Sequence, residues 1–212
     1  MKRLALIGSR DFASQIRQYA EDTNEYRVVG CFDDFEEKGR LINGIPILGK
    51  ISDIEEVFKE HTFDCLFFAA GYNNFQFREN AFLRFKGEVP FATIIMPTAQ
   101  VSAGVKIGEG VFIGDGCFIG ANTQIEDNVF IHGSSHIGHD NHVGAHTYIS
   151  GRFDTAGFCT IGKRCFIGIR VCISDHITIC DDAWIGLACV VAKDIKEPGK
   201  YMSAATKLYK VE

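Results

Sequence analysis

A strict period of six governs the second half of the chain. From Val101, every sixth residue is aliphatic: Val101, Ile107, Ile113, Ile119, Ile125, Ile131, Ile137, Val143 and Ile149, then Thr155, Ile161, Ile167, Ile173, Ile179, Ile185 and Val191. These are sixteen positions in unbroken register, fifteen of them Val or Ile and one Thr. The next residue is often glycine, as at Gly108, Gly120, Gly138, Gly144 and Gly168, which suits a backbone corner. Two residues earlier stands a small or apolar side chain such as Val105, Cys117, Val129 or Cys165, and in an extended chain i and i−2 share a face. Short bent strands of this kind bury that face only by stacking on one another. The period therefore predicts a parallel β-helix with three strands per 18-residue coil, roughly five coils over residues 101–192.

Residues 1–95 follow another pattern. LALIG (4–8), VVGCF (28–32), FDCLFFAA (63–70) and FATII (91–95) predict buried strands. Between them lie helical segments: one with Phe12, Ala13, Ile16, Tyr19 and Ala20 on a single face, then 51–61 and 75–85. Ser52 stands three residues before Glu55, as a capping box requires. Alternating strand and helix predicts a small parallel sheet flanked by helices. The division is thus 1–95 for an α/β domain and 96–212 for the β-helix and its tail, with MPTAQ (96–100) as the hinge.

The net charge of −5 offers no basic footprint for nucleic acid, and no apolar run approaches the ~18 residues of a membrane span. The opening MKRLALIGSRD is too briefly apolar for a secretory signal. The expected location is the cytoplasm, where the eight cysteines stay reduced. Cys117, Cys159, Cys165 and Cys189 fall at core positions of the repeat, and the absence of a C-x-x-C pair argues against zinc or redox use.

The turn Gly8-Ser9-Arg10-Asp11-Phe12-Ala13 has only the first glycine of a dinucleotide fingerprint, so NAD is not expected. It nevertheless lies at the carboxyl end of a strand, where open α/β sheets bind ligands. Asp33 and Asp34 end the second strand, either as acceptors for ribose hydroxyls or a base, or as solvated loop residues. Five histidines (132, 136, 139, 142 and 146) suggest a metal, but residues six apart lie on adjacent faces of the prism, so no metal is expected. His139 stands out. Stacking by 18 sets Ala121 and Gly157 beside it, leaving room for a ligand, and Asp140 follows at once to orient the imidazole. The alternative is a surface His–Asp pair without chemistry. Asp175-His176 is a second such pair, with no positional argument in its favour.

Taken together, the strand–turn at 4–13, Asp33-Asp34, NGIPILGK (43–50), AAGYNN followed by Arg78, the Pro97-Ala99 hinge and the repeat ending in VVAKD (190–194) resemble a known family. It is the bacterial sugar O-acyltransferases of the hexapeptide-repeat superfamily, which includes sialic acid O-acetyltransferases and bacillosamine-pathway N-acetyltransferases. The resemblance implies a Rossmann-like domain that holds an activated sugar and a left-handed β-helix that forms a homotrimer. It also implies acetyl-CoA bound in grooves between subunits. His139 would be the general base, with Asp140 tuning it. The sugar nucleotide would touch Arg10, Asp11, Phe12, Asp33, Asp34 and Gly71, and acetyl-CoA would meet Tyr148, Gly157, Ile169 and Leu187. The sequence departs from the family at Ser9-Arg10-Asp11-Phe12, where G-x-G-G-H or G-x-S-G-H is usual, at Met96 in place of histidine, and at Ser203-Ala204-Ala205-Thr206-Lys207 in place of G-x-P-A-K. These changes point to an unusual acceptor or acyl donor.

The function this implies is acetyl transfer from acetyl-CoA to the amino group of a UDP- or dTDP-linked amino-deoxy sugar, for bacterial surface glycan (lipopolysaccharide O-antigen) synthesis. Two alternatives are O-acetylation of sialic acid or a related sugar, and a non-catalytic trimeric scaffold or nucleotide-sugar sensor.

Overall fold

The computed structural model describes residues 1–70 and 74–204. The N-terminal unit runs β1 (Lys2–Ile7), α1 (Asp11–Asp22), β2 (Tyr26–Phe32), β3 (Leu41–Ile42), β4 (Ile45–Gly49), a 3-10 turn (Ile51–Asp53), α2 (Ile54–Lys59), β5 (Cys65–Phe68) and α3 (Phe75–Phe85). Its sheet has the order β3-β4-β2-β1-β5, parallel throughout except for the β3–β4 hairpin.

Two local expectations are corrected. Residues 91–95 do not form a fourth strand of this sheet: Phe91 makes one parallel bridge to Leu66, and Ile94–Ile95 instead pairs with Phe112–Ile113 in the β-helix. The fourth place in the parallel sheet goes to β4, beside β2. At α2, Ser52 does not cap. The segment enters through a 3-10 turn, so the amide needing an acceptor is that of Lys50, and Asp53 Oδ2 takes it at 2.9 Å.

The remainder is a left-handed parallel β-helix of two-residue strands paired 18 apart, for example Phe118↔His136 and Ile119↔Ile137. It is a three-sided prism. One face carries Phe112–Ile113, Phe130–Ile131, Tyr148–Ile149 and Phe166–Ile167, a second carries Phe118–Ile119 through Cys172–Ile173, and a third carries Lys106–Ile107 through Thr178–Ile179. The repeat aliphatics from Ile113 to Val191 fill the interior with Cys117, Cys159, Cys165 and Cys189. Val101, at the open end of the prism, is 37% exposed because fewer coils cover it. At four inward positions of the central coils, Thr123, Ser135, Asn141 and Thr147, the side chain is polar, and each is bonded to a backbone carbonyl. Thr123 and Asn141 both donate to Gly138 O (2.9 and 3.0 Å), and Thr147 donates to Gly162 O (2.8 Å).

The two units dock through the first face. Its outward residues Phe112, Phe130, Tyr148, Phe166 and Trp184 form a stacked ladder with ring separations of 4.3–5.8 Å. Helix α1 lays Phe12 on Phe130 (5.0 Å) and Tyr19 on Phe112 (5.2 Å). Each such aromatic pair contributes about 0.5–1.5 kcal/mol beyond its buried area. Helix α3 adds the fully buried Arg78, whose guanidinium donates to Asn128 Oδ1 (2.8 Å) and to the Asn128 carbonyl (3.0 Å). Burial pulls the Arg78 pKa down to about 10. Asn128 in turn meets His146 Nδ1 at 3.0 Å, and Glu79 pairs with Arg164 at 3.1 Å.

Burial lowers His146 to about 4, with Glu79 pulling the other way. Its folded pKa thus lies below its unfolded value of 6.5. The unfolded chain takes up a proton before the native one does, so this stability is present above pH 6.5 and is lost as pH falls toward 4. The loss amounts to roughly 3 kcal/mol. His146→Asn, a residue that tolerates the φ of +63, is expected to flatten that portion of the decline. Urea unfolding of wild type and variant between pH 7.5 and 4.5 measures the difference.

Candidate functional site

At the carboxyl edge of β1 and β2 the sheet opens into a cavity of about 410 Å³, bounded by Gly8–Arg10, Phe12, Asp33, Asp34, Phe35 and Phe77. Its volume is within the range of small-ligand sites. Gly8 (φ +104) makes the turn, with Ala69 and Ala70 backbone 3.0–3.2 Å from where a Cβ would sit. The N-terminus of α1 carries no side-chain cap, leaving its first amides and the Arg10 side chain available to an anion. Of the expected sugar-nucleotide residues, Arg10, Phe12, Asp33 and Asp34 line this cavity, Asp11 begins α1 beside it, and Gly71 lies outside the described residues.

The two carboxylates differ. Asp33 is buried and committed, with Ser9 Oγ donating to Oδ2 at 2.6 Å and the Phe35 amide to Oδ1 at 3.0 Å. Asp34 Oδ1 accepts from the Ile51 amide at 2.9 Å, and its Oδ2 has no partner among the described residues.

The corner between the second and third faces holds His139. Its Nδ1 meets Asp140 Oδ2 at 2.7 Å, and Asn122 Nδ2 donates to Asp140 Oδ1 at 3.1 Å. These two bonds, the one from His139 first, hold the Asp140 carboxyl below its ordinary range. The imidazole lies against Gly157 on the next coil, where a Cβ would come within 2.6–2.8 Å of Cε1 and Nε2. Stacking by 18 is thus seen directly, and only glycine leaves the ring this place. Among the described residues neither His139 Nε2 nor the Gly157 amide has a hydrogen-bond partner. The adjoining Gly138 is equally constrained, since a Cβ there would sit 2.6 Å from Ala156 O. Sequence reasoning found His139, Asp140 and Gly157 but passed over Asn122, which was readable as the residue 18 before Asp140.

The other expected acyl-donor residues stand elsewhere. Ile169 and Leu187 are exposed, at 48% and 65%, on the corner between the first and second faces. Tyr148 is buried in the aromatic ladder, with its hydroxyl 2.5 Å from His132 Nε2. That histidine lies 6.4 Å from the Phe12 ring, so the cavity abuts the first face and its corner, one corner away from His139. The five clustered histidines disperse. His136 stacks on Phe118 (4.9 Å), His142 pairs with Glu126 (2.9 Å), and His132 and His146 are partnered as above. Among the described residues no three His, Cys, Asp or Glu side chains converge as metal ligands, and no helix is long and apolar enough to cross a membrane.

Comparison with known proteins matches this architecture. Residues 3–84 match the PglD N-terminal domain family. The fold is shared with PerB from Caulobacter crescentus, solved in complex with CoA and GDP-perosamine, at 25% identity over 96% of this chain and 95% of that one (TM-score 0.84). A histidine-to-alanine variant of GDP-perosamine N-acetyltransferase from the same organism aligns at 24% identity over 100% and 98% (TM-score 0.86). The acetyltransferase domain of PglB from Neisseria gonorrhoeae aligns at 24% over 96% and 97% (TM-score 0.83). No curated protein matches the chain in sequence. A PglD-type first domain with a hexapeptide-repeat prism behind it is thus the architecture this chain shares with those acetyltransferase structures.

Gly8→Ala is expected to cost about 1–3 kcal/mol, because it forces a side chain into both a left-handed φ and a backbone contact. Denaturant unfolding reads the loss. Calorimetric titration with a nucleoside diphosphate should show weakened binding in the same variant.

Proposed function

We propose that this protein transfers an acetyl group from acetyl-CoA to the amino group of a nucleotide-linked amino-deoxy sugar, in the cytoplasm, for bacterial surface glycan synthesis. The observation that carries the reading is the His139 imidazole, oriented by Asp140, laid over the bare Gly157 and open at Nε2. The likeness to PerB, solved with CoA and GDP-perosamine, supports the substrate pair.

In this reading the cavity holds the nucleotide. The N-terminus of α1 and Arg10 meet its diphosphate, Phe12 forms the wall toward the prism, and Asp34 accepts from ribose or base. Asp33 acts through its bonds to Ser9 and the Phe35 amide. His139 Nε2 takes the proton from the acceptor nitrogen as that nitrogen attacks the thioester carbonyl. The Gly157 amide receives the developing oxyanion. On collapse the C–S bond breaks, and His139 returns its proton to the leaving thiolate.

Tyr148, Ile169 and Leu187 are assigned to the acyl donor's surroundings, and their placement favours a homotrimer. The cavity and the Ile169–Leu187 corner lie on one side of the second face and His139 on the other. Six extended residues separate adjacent corners by up to about 20 Å. A three-fold assembly setting the His139 corner of one copy against the cavity of the next would complete each site.

His139→Ala is expected to lower turnover by ~10²–10⁴, read as free thiol released from acetyl-CoA with UDP-, dTDP- and GDP-linked amino sugars. Wild-type turnover only with hydroxyl acceptors such as CMP-sialic acid would move the reading to O-acetyl transfer. Ligand binding without any turnover would favour a sensor. A shared site makes a further prediction: co-expressing His139→Ala with Arg10→Glu, each inactive alone, should restore part of the activity. No restoration in purified mixed oligomers would place each site within one chain.

A further inference from the structure

Asn122, Asp140, Phe158 and His176 occupy one corner position on four successive coils, each with left-handed backbone (φ +61, +54, +59 and +57). Asn, Asp and His tolerate that conformation, whereas a bulky aromatic does so against its preference. Burial does not account for the ring either, since Phe158 is 51% exposed. What the ring does touch is His139. The two stand perpendicular, centroids 5.0 Å apart at 88°. Its other contact is His176, stacked at 4.8 Å, which is itself held by Asp175 at 3.1 Å. On the opposite side, Asn122 fixes the Asp140 carboxylate that accepts from His139.

We propose that Phe158 and Asn122 are positioning residues for His139, gripping the His139–Asp140 pair from the two neighbouring coils. The inference rests on His139 being the base. Rotation of the His139 imidazole about its Cβ–Cγ bond is opposed by the bond to Asp140 and by packing on its faces. With Phe158 on one flank, Gly157 beneath and Asp140 pinned by Asn122, Nε2 is left aimed outward in one direction. The stack Phe158–His176–Asp175 gives the second acid–histidine pair a purpose without chemistry of its own: it backs the ring that walls the base. The Phe158 amide bonds to His139 O at 3.1 Å through backbone alone, so removing the ring leaves the coil-to-coil bond in place.

The test is a set of single and double variants, read as kcat and KM for both substrates and as the Kd for CoA by calorimetry. Phe158→Ala should lower kcat roughly 10- to 100-fold, as misplacing a catalytic group does, and Asn122→Ala by about tenfold, with KM and Kd within threefold of wild type. Phe158→Tyr should return kcat to within threefold. In the His139→Ala background neither change should cost more than about twofold, because a positioning residue has nothing left to position. A loss confined to KM or to CoA affinity, or an equal fold-loss in both backgrounds, overturns the proposal. Should Phe158→Ala fail to assemble, Phe158→Leu, which keeps the volume but not the planar ring, carries the same comparison. If His139→Ala itself leaves turnover intact, the assignment of the base fails, and the proposal fails with it, visibly apart from the other outcomes.

Discussion

The hydrogen bonds that tie each coil to the next fix a register of 18 residues, and the candidate site is a consequence of that register. Asp140 N–H to Ala121 O and Phe158 N–H to His139 O are two rungs of this ladder. Together they decide that a side chain at 139 faces whatever stands at 121 and 157. Because the coil repeats without insertion, side chains distant in sequence meet at fixed heights, which is the preorganisation that a general base requires. The buried polar groups of the central coils serve the same end. Thr123 and Asn141 converge on Gly138 O, the carbonyl just before His139, so the corner carrying His139 is pinned from the interior by two side chains.

The docking of the two units combines an apolar and a polar contribution of unequal weight. The aromatic ladder and the rings of α1 bury surface without charge. Arg78, by contrast, is a buried cation that among the described residues has no carboxylate in contact and no partner for Nη1, an arrangement that is costly to bury. The ladder therefore supplies the association, and Arg78 with Asn128 selects one alignment of α3 on the prism. This matters for function because the wall of the cavity nearest the prism is Phe12, which lies on Phe130 of that ladder. Through Phe12, the wall of the cavity and the face of the β-helix are one packed surface.

Much of this was legible beforehand, for physical reasons that differ by region. A solenoid writes its structure as a period, so the strands, the core cysteines and the stacking of Gly157 on His139 could be read by counting. The open α/β sheet writes only local signals. The β3–β4 hairpin was missed although Asn43-Gly44, both with positive φ, marks the turn between two apolar runs. The strand at 91–95 was misplaced because an apolar run says that it is buried but not in which sheet. The outward ladder went unread too, although Phe112, Phe130, Tyr148, Phe166 and Trp184 recur every 18 residues just before the repeat aliphatic.

Phe158 was hidden for the opposite reason. It stands at an outward corner position, where the repeat prescribes no residue type, and only the ring geometry shows it standing against His139. The same geometry limits what one copy can do. His139 and the cavity belong to different corners, and the interdomain packing that fixes the cavity against the first face also forbids it from swinging round to the third. A rigid prism with a rigidly docked domain cannot close a site by moving its parts past one another. On the proposed reading, its remaining route is to present two half-sites at fixed separation and let the symmetry of an assembly bring complementary halves together, which ties the rigid setting of His139 to the proposed homotrimer.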